Sequence, residues 1–342
     1  MVPSNNLRTV EGPLLWTAAD YPDDRSWVYD FDDNMLIEIE TAAKTLQESE
    51  TAPDQIDGRY FSLPKTDVLL RDAYNDLESG RGFAMLAGLP VADWEPALSK
   101  AALCVIGTRF GRINVQNRER DYLLDVINKS VTVSKTFRGY HGNDHLDFHN
   151  DGANTAALLC LETAAEGGET LMVSAGTIYN EILRTRPDLL KPLLKGFQHH
   201  RRNQREPNDP VVTPYRAPVF SFINGVFHSC YSRISIESTR EEDIAFTALE
   251  TEALDYLDTQ MMRPELQAKT RLRKGDIQLM NNFTILHSRT AFTDKPGNPR
   301  HLLRLWLDDP DSRYNGPNKM DFYVPEESRF MQTVGYESFA QT

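Results

Sequence analysis

Gly139-Tyr-His-Gly-Asn-Asp-His-Leu-Asp-Phe-His-Asn-Asp-Gly-Ala-Asn154 runs without a break into Thr155-Ala-Ala-Leu-Leu-Cys-Leu161. The first part crowds His141, His145 and His149 together with Asp144, Asp147 and Asp151. The second is apolar on both faces, as a strand covered from both sides must be. Imidazoles and carboxylates gathered at the mouth of a buried strand point to a metal site. A facial triad of two histidines and one carboxylate takes two ligands that lie close in sequence and a third from a distant strand. His145-x-Asp147 and His149-x-Asp151 both have the form of the near pair, and spacing alone does not separate them. His149 and Asp151 stand closer to the strand, whose rigid frame can fix ligand geometry, and this favours the second pair. The distant candidate is His287, at the end of an apolar run that follows a turn.

Working outward, residues 165–169 form a turn around Gly167-Gly168, and a short strand over 170–173 is read as adjacent to the one at 155. Helices are expected from near Ser174 and from Pro187, the latter stopped by Gly196. Strands are expected over 219–229 and 231–236. Thr239-Arg-Glu-Glu242 fits a capping box, with Ala245, Leu249, Ala253 and Leu257 lining one face of the helix behind it. The run after Lys274-Gly-Asp276 alternates strands and turns up to Arg300-His-Leu-Leu-Arg-Leu-Trp-Leu307. On that strand Arg300, Leu302, Arg304 and Trp306 fall on one face, so either that face is wet or anions meet the arginines there. Upstream, the apolar spacing predicts helices over 34–47, 66–77 and 99–106 and a buried strand over 83–89. The aromatic-rich first thirty residues read as an ordered wrapping segment, and 308–342 as a polar C-terminal wrap or lid.

The chain has 342 residues, 40% of them hydrophobic, enough for a sizeable core without a linker. Thirty-seven basic against fifty acidic side chains leave a net charge of −13, which argues against nucleic acid as a partner. The N-terminus has no charged segment followed by an apolar core, and no run is long enough to cross a bilayer, so no membrane partner and a cytoplasmic location are expected. Cys104, Cys160 and Cys230 lack CxxC spacing, which favours neither disulfides nor a thiolate zinc site.

Phe148-His-Asn-Asp151, Gly167-Gly-Glu-Thr170, Gly275-Asp-Ile-Gln-Leu-Met-Asn-Asn-Phe-Thr-Ile-Leu-His287 and Arg300-His-Leu-Leu-Arg304, in this order, resemble the taurine dioxygenase/2,4-D dioxygenase family of clavaminate-synthase-like 2-oxoglutarate oxygenases. The resemblance runs from about Gly80 to Leu307. It implies a double-stranded β-helix, or jelly roll, of mainly β or α+β class with helices outside. It implies His149, Asp151 and His287 as iron(II) ligands, with His145-x-Asp147 as a decoy. It also places Thr170 and Arg300 on the far carboxylate of 2-oxoglutarate and matches Arg304 to an arginine that faces the substrate in some members, leaving open whether it serves substrate or co-substrate. The implied domain plan is one oxygenase domain over 1–342, with an N-terminal helical wrap (1–79), a jelly-roll core with helical insertions (80–307) and the wrap or lid (308–342).

The expected activity is therefore an iron(II)/2-oxoglutarate-dependent dioxygenase that uses dioxygen and releases succinate and carbon dioxide. Halogenases of this broad class have a small residue where Asp151 stands, so hydroxylation, desaturation or cyclisation is expected instead. The substrate is expected to be a small molecule bearing a carboxylate or similar anion, such as an amino-acid derivative or natural-product intermediate. A homo-oligomer is compatible with this reading. Two other readings use the same triad: a zinc hydrolase, which leaves the double-arginine strand without an anion, and a jelly-roll metal-binding or regulatory protein without turnover. Tyr140, His141, Asn150 and Asn154 read as loop scaffolding before substrate contacts, and His199, His200, His228 and His301 as structural or solvated.

Overall fold

The computed structural model describes residues 7–23, 25–129, 142–205 and 207–315. An edge strand β1 (Val28–Asp30) leads into α1 (Asp33–Ser49), whose N-cap Asp32 accepts a hydrogen bond from Met35 N and whose apolar stripe buries Ile39, Ala42, Ala43 and Leu46. Then follow α2 (Thr66–Glu78), the wholly buried β2 (Phe83–Ala87), α3 (Pro96–Gly107), β3 (Arg112–Asn114), β4 (Leu123–Ile127), β5 (Leu146–His149) and β6 (Thr155–Glu162). Next come β7 (Glu166–Gly167), β8 (Thr170–Ser174), α4 (Ala175–Thr185) capped by Ser174, α5 (Pro187–Lys195) ended at Gly196, and the hairpin β9 (Phe220–Ile223) and β10 (Val226–Ser229). The rest is α6 (Arg233–Glu237), α7 (Ala248–Met261), β11 (Gln267–Thr270), β12 (Ile277–Asn281), β13 (Ile285–Arg289), β14 (Phe292–Thr293) and β15 (His301–Asp308).

Two sheets face each other in the jelly-roll fold. The larger has the order β1-β2-β12-β6-β15-β3, with β4 also on β15; the smaller has the order β11-β8-β13-β5. The alternation of strand side chains sorts the apolar residues into three cores. Between the sheets lie Phe83, Met85, Ala156, Cys160, Met172, Ile285, Leu302 and Trp306. The opposite face of the larger sheet, with Ala157, Leu159, Leu303, Leu305 and Leu307, packs under α1, α2 and α3. Phe148, Leu171, Val173 and Leu286, on the outer face of the smaller sheet, pack under α4, α5 and α7. On the first thirty residues, Trp16, Tyr21 and Trp27 gather edge-to-face around Phe83 at ring separations of 5.1–5.5 Å. No helix among the described residues is long and apolar enough to cross a membrane.

Three expectations differ from the structure. The strands on either side of Gly167-Gly168 do not pair: β6 belongs to the larger sheet and β8 to the smaller, so the turn carries the chain across the sandwich. Residues 231–236 are not a strand. Asn150 N donates to Tyr231 O, Tyr231 N donates back to the Asn150 side-chain Oδ1, and Ser232 bridges His149, after which α6 begins. Its first residue, Arg233, is pinned by Glu237 one turn on and by Asp255 and Asp258 of α7, a tertiary gain that outweighs the strand preference of Ile234 and Ile236. The capping box is formed by Thr247 and Glu250, not by Thr239 and Glu242, which lie in a 3-10 turn. The helix accordingly buries Ala253, Leu254, Leu257 and Met261 and leaves Leu249 exposed. Of the expected C-terminal wrap, residues from 316 on lie outside the described residues.

The crossover turn needs glycine at its first position. Gly167 has φ +69°, and a Cβ there would meet the Ala291 carbonyl oxygen at 2.0 Å, because β7 and β14 pair in register Gly167 to Phe292. Gly167→Ala is expected to lower stability by about 2 kcal/mol or more, as strain and a backbone clash add. Urea unfolding of the variant against the parent measures the loss.

Candidate metal centre

His149 closes β5 directly opposite His287 of β13, so one antiparallel register pairs a near and a far histidine that are distant in sequence. Asp151 follows in the turn that leads to β6. That turn is held from both sides: Asn150 Nδ2 donates to Ile285 O at 2.9 Å, Asn150 Oδ1 accepts from Tyr231 N, and Asp151 N donates to Asn282 Oδ1 at 3.1 Å. Asn282 in turn donates to Ala153 O. Asn154 is occupied with Asp308, Asp309 and Asn315. Both asparagines are thus scaffolding of the ligand turn.

One nitrogen of each ring and one Asp151 oxygen all lie within 4.8 Å of one another, and the two rings are 4.3 Å apart between centroids. The His149 tautomer follows from its neighbour. Nδ1 lies 2.8 Å from the Asp147 carbonyl oxygen, which only accepts, so Nδ1 carries the proton. In the neutral ring Nε2 then presents a lone pair, and it faces Asp151 Oδ1 at 3.9 Å. Burial first, and then the neighbouring His149, push the His287 pKa down to about 3, so the His287 ring is neutral, and its buried Nδ1 meets no partner. Burial alone would raise the Asp151 carboxyl, but Arg304, the two histidines and the Trp306 N–H bring it down to about 2. Two imidazoles, each able to ligate in its neutral form, and an ionised carboxylate turned toward them fit a divalent cation with nitrogen and oxygen preference.

The carboxylate is oriented by β15. Trp306 Nε1 donates to Asp151 Oδ2 at 3.2 Å, and Arg304 Nη1 lies 3.4 Å from Oδ1 while its Nε donates to Gln116 Oε1 at 2.8 Å. Arg304 is therefore engaged with the metal-facing carboxylate. Thr170 and Arg300 are both buried. Thr170 stands at the end of β8 opposite Arg289 of β13, and the Arg300 guanidinium carbon sits 5.1 Å from the Phe292 ring centroid, beside Gly168. The other near pair stays outside: His145 and Asp147 are exposed, their closest atoms 3.8 Å apart, and His141 lies outside the described residues. His301 points away to Asp125. Gln116, Asn282, Arg289 and the Trp306 bond to Asp151 were not foreseen. The alternation that singled out Arg300 and Arg304 would have found Arg289, two residues after His287 on the same face.

The taurine catabolism dioxygenase TauD, TfdA family model matches residues 46–306. The chain belongs to this family. It is 32% identical over 308 residues, 88% of its own length and 90% of the relative's, to the FR-33289 synthase of Streptomyces rubellomurinus (strain ATCC 31215). Among solved structures it is similar in fold to asparagine oxygenase in complex with Fe(II), 2S,3S-3-hydroxyasparagine and succinate, with a TM-score of 0.65 at 19% identity over 82% of this chain and 93% of that one. It is also similar to the non-heme iron oxygenase OrfP in complex with (3S)-hydroxy-L-Arg, with a TM-score of 0.61 at 12% identity over 82% and 94%. The protein is an Fe(II)/2-oxoglutarate-dependent dioxygenase that uses dioxygen and acts on a small molecule.

Two outcomes are expected in an anaerobic iron(II) titration. His149→Ala abolishes binding while His145→Ala leaves it intact. Trp306→Phe keeps the ring but loses the hydrogen bond to Asp151 Oδ2, and weakens iron affinity about 10- to 100-fold, the usual cost of removing a partner of a metal ligand.

Proposed function

We propose that His149, Asp151 and His287 hold iron(II), that Thr170 and Arg300 hold the distal carboxylate of 2-oxoglutarate, and that the enzyme hydroxylates a small anionic molecule of the amino-acid or natural-product-intermediate type. The observation that carries the reading is the convergence of three metal-facing acceptor atoms in a fold that also buries Arg300 without an ion pair among the described residues. When bound, iron and 2-oxoglutarate supply the oxidative decarboxylation that drives hydrogen abstraction from the substrate.

The chain's own residues bind and orient. Trp306 and Arg304 fix the direction of the Asp151 carboxylate, and the apolar walls between the sheets exclude water from the centre. Arg300 is 6% exposed, and its backbone N–H donates to Asp294 Oδ1 at 2.7 Å, which anchors the arginine at the start of β15. The FR-33289 synthase, asparagine oxygenase and hydroxyarginine-bound relatives support a polar substrate of modest size. Asp151 fills the position that a halide would need, which disfavours halogenation, and hydroxylation is taken as the outcome to test ahead of desaturation or cyclisation.

Anaerobic addition of iron(II) and 2-oxoglutarate is expected to give a weak visible charge-transfer band, and admission of air to release succinate. A panel of amino acids, their derivatives and other small anionic natural-product intermediates, scored by faster succinate release and a product one oxygen heavier, identifies the substrate. Absence of both the band and succinate would refute the iron and co-substrate reading.

A further inference from the structure

Arg289 shares the interior of the smaller sheet with the metal-facing residues. It lies two residues after His287 on β13 and directly opposite Thr170 of β8, so all three belong to one inward face. It is 7% exposed, as buried as Arg300. The two guanidinium carbons lie 4.7 Å and 5.1 Å from the centroid of the same ring, Phe292, and are therefore no more than about 10 Å apart. Among the described residues no carboxylate forms an ion pair with either, although the charge of Asp294 reaches both and that of Asp144 reaches Arg289 from farther off. Burial first, and then the like charge of Arg300, push the Arg289 pKa down to about 10.

Of the five N–H donors of Arg289, two meet protein acceptors among the described residues. Nη2 donates to two backbone carbonyls, Gly142 O at 3.0 Å and Asp144 O at 2.6 Å, while Nε is buried without a partner. Two neutral carbonyls do not offset the cost of taking a guanidinium out of water, which is several kcal/mol for an unpaired ion. Two such cations side by side raise that cost, and an anion placed between them removes it for both.

We propose that Arg289 is a second cation of the 2-oxoglutarate pocket, its unused Nε sharing the distal carboxylate with Arg300 while its Nη2 ties the same guanidinium to the 142–144 turn leading into β5. The family resemblance gives this carboxylate one arginine; here it has two. The proposal rests on the reading of Thr170 and Arg300 as the co-substrate site. It makes the turn ahead of His149 sensitive to co-substrate, because one guanidinium touches both.

The test compares 2-oxoglutarate with 2-oxopentanoate, which has the same oxo-acid end but a methyl in place of the distal carboxylate. Anaerobic dissociation constants are measured on the iron(II)-loaded full chain for the parent, Arg289→Met, Arg289→Lys and Arg300→Met, together with iron affinity in the absence of either oxo acid. Arg289→Met is expected to weaken 2-oxoglutarate about 10- to 100-fold, the worth of a hydrogen bond to a charged group, while 2-oxopentanoate and iron affinities stay within about twofold of the parent. Arg289→Lys is expected to recover part of the loss, and if Arg289→Met does not fold, Arg289→Lys carries the same comparison with a smaller deficit.

The inference is overturned if the Arg289 variants bind 2-oxoglutarate as the parent does, or lose both oxo acids equally, the mark of a merely structural tie. Arg300→Met separates the two levels of the argument. If it alone loses 2-oxoglutarate, only the role of Arg289 fails; if it keeps full affinity, the pocket reading beneath it fails as well.

Discussion

An ionised carboxylate buried between two apolar sheets is the constraint on which the rest of this structure depends. Left without partners, Asp151 would take up a proton or cost several kcal/mol. Its counter-charge and its hydrogen bond come from one strand, Arg304 and Trp306 of β15, two residues apart and therefore on one face. That face meets Asp151 only in the observed register, in which β15 pairs with β6 so that Trp306 opposes Ala156 and Leu307 opposes Thr155. A slip of one residue would turn Arg304 and Trp306 outward under α3 and bring Leu303 and Leu305 to the carboxylate. The apolar alternation that builds the three cores is thus the same alternation that keeps the metal-facing oxygen charged.

Much of this was legible in the sequence because it rests on period and order. The inward set on β15 follows from strict alternation, and the choice of His149 over His145 agrees with burial, since the decoy pair stays exposed. What was not legible depends on partners that are remote in sequence. Thr-x-x-Glu occurs at both Thr239 and Thr247, and the two are locally equivalent; only the apolar stripe from Ala253 to Met261 and its seat against the smaller sheet distinguish the second. Ile234 and Ile236 favour a strand, and the acids that stabilise a helix there, Asp255 and Asp258, arrive more than twenty residues later. Gly167-Gly168 has the chemistry of a hairpin turn, and nothing local reveals that its flanking strands join opposite sheets. Arg289 is a different case: it stood on the same period as His287 and was passed over because the search was for ligands, not for uncompensated charge.

The buried arginines fall into two kinds, and the difference is informative. Arg304 has a carboxylate from the chain itself, so its charge is met whether or not anything is bound. Arg289 and Arg300 have no ion pair among the described residues, yet neither is free to swing into water. The first is tethered by two carbonyls, and the second is anchored through its own backbone N–H and walled by Gly168 and Phe292. Phe292 is itself fixed by the crossover turn, since β14 pairs with β7 at Gly167. The fold therefore holds two cations in low dielectric at a cost that only an incoming anion offsets, and the cost enters as affinity for that anion. It follows that the glycine pair does more than carry the chain between sheets. By seating a ring within 5.1 Å of both guanidinium carbons, it limits their spacing, and so bears on how well a single carboxylate can satisfy both.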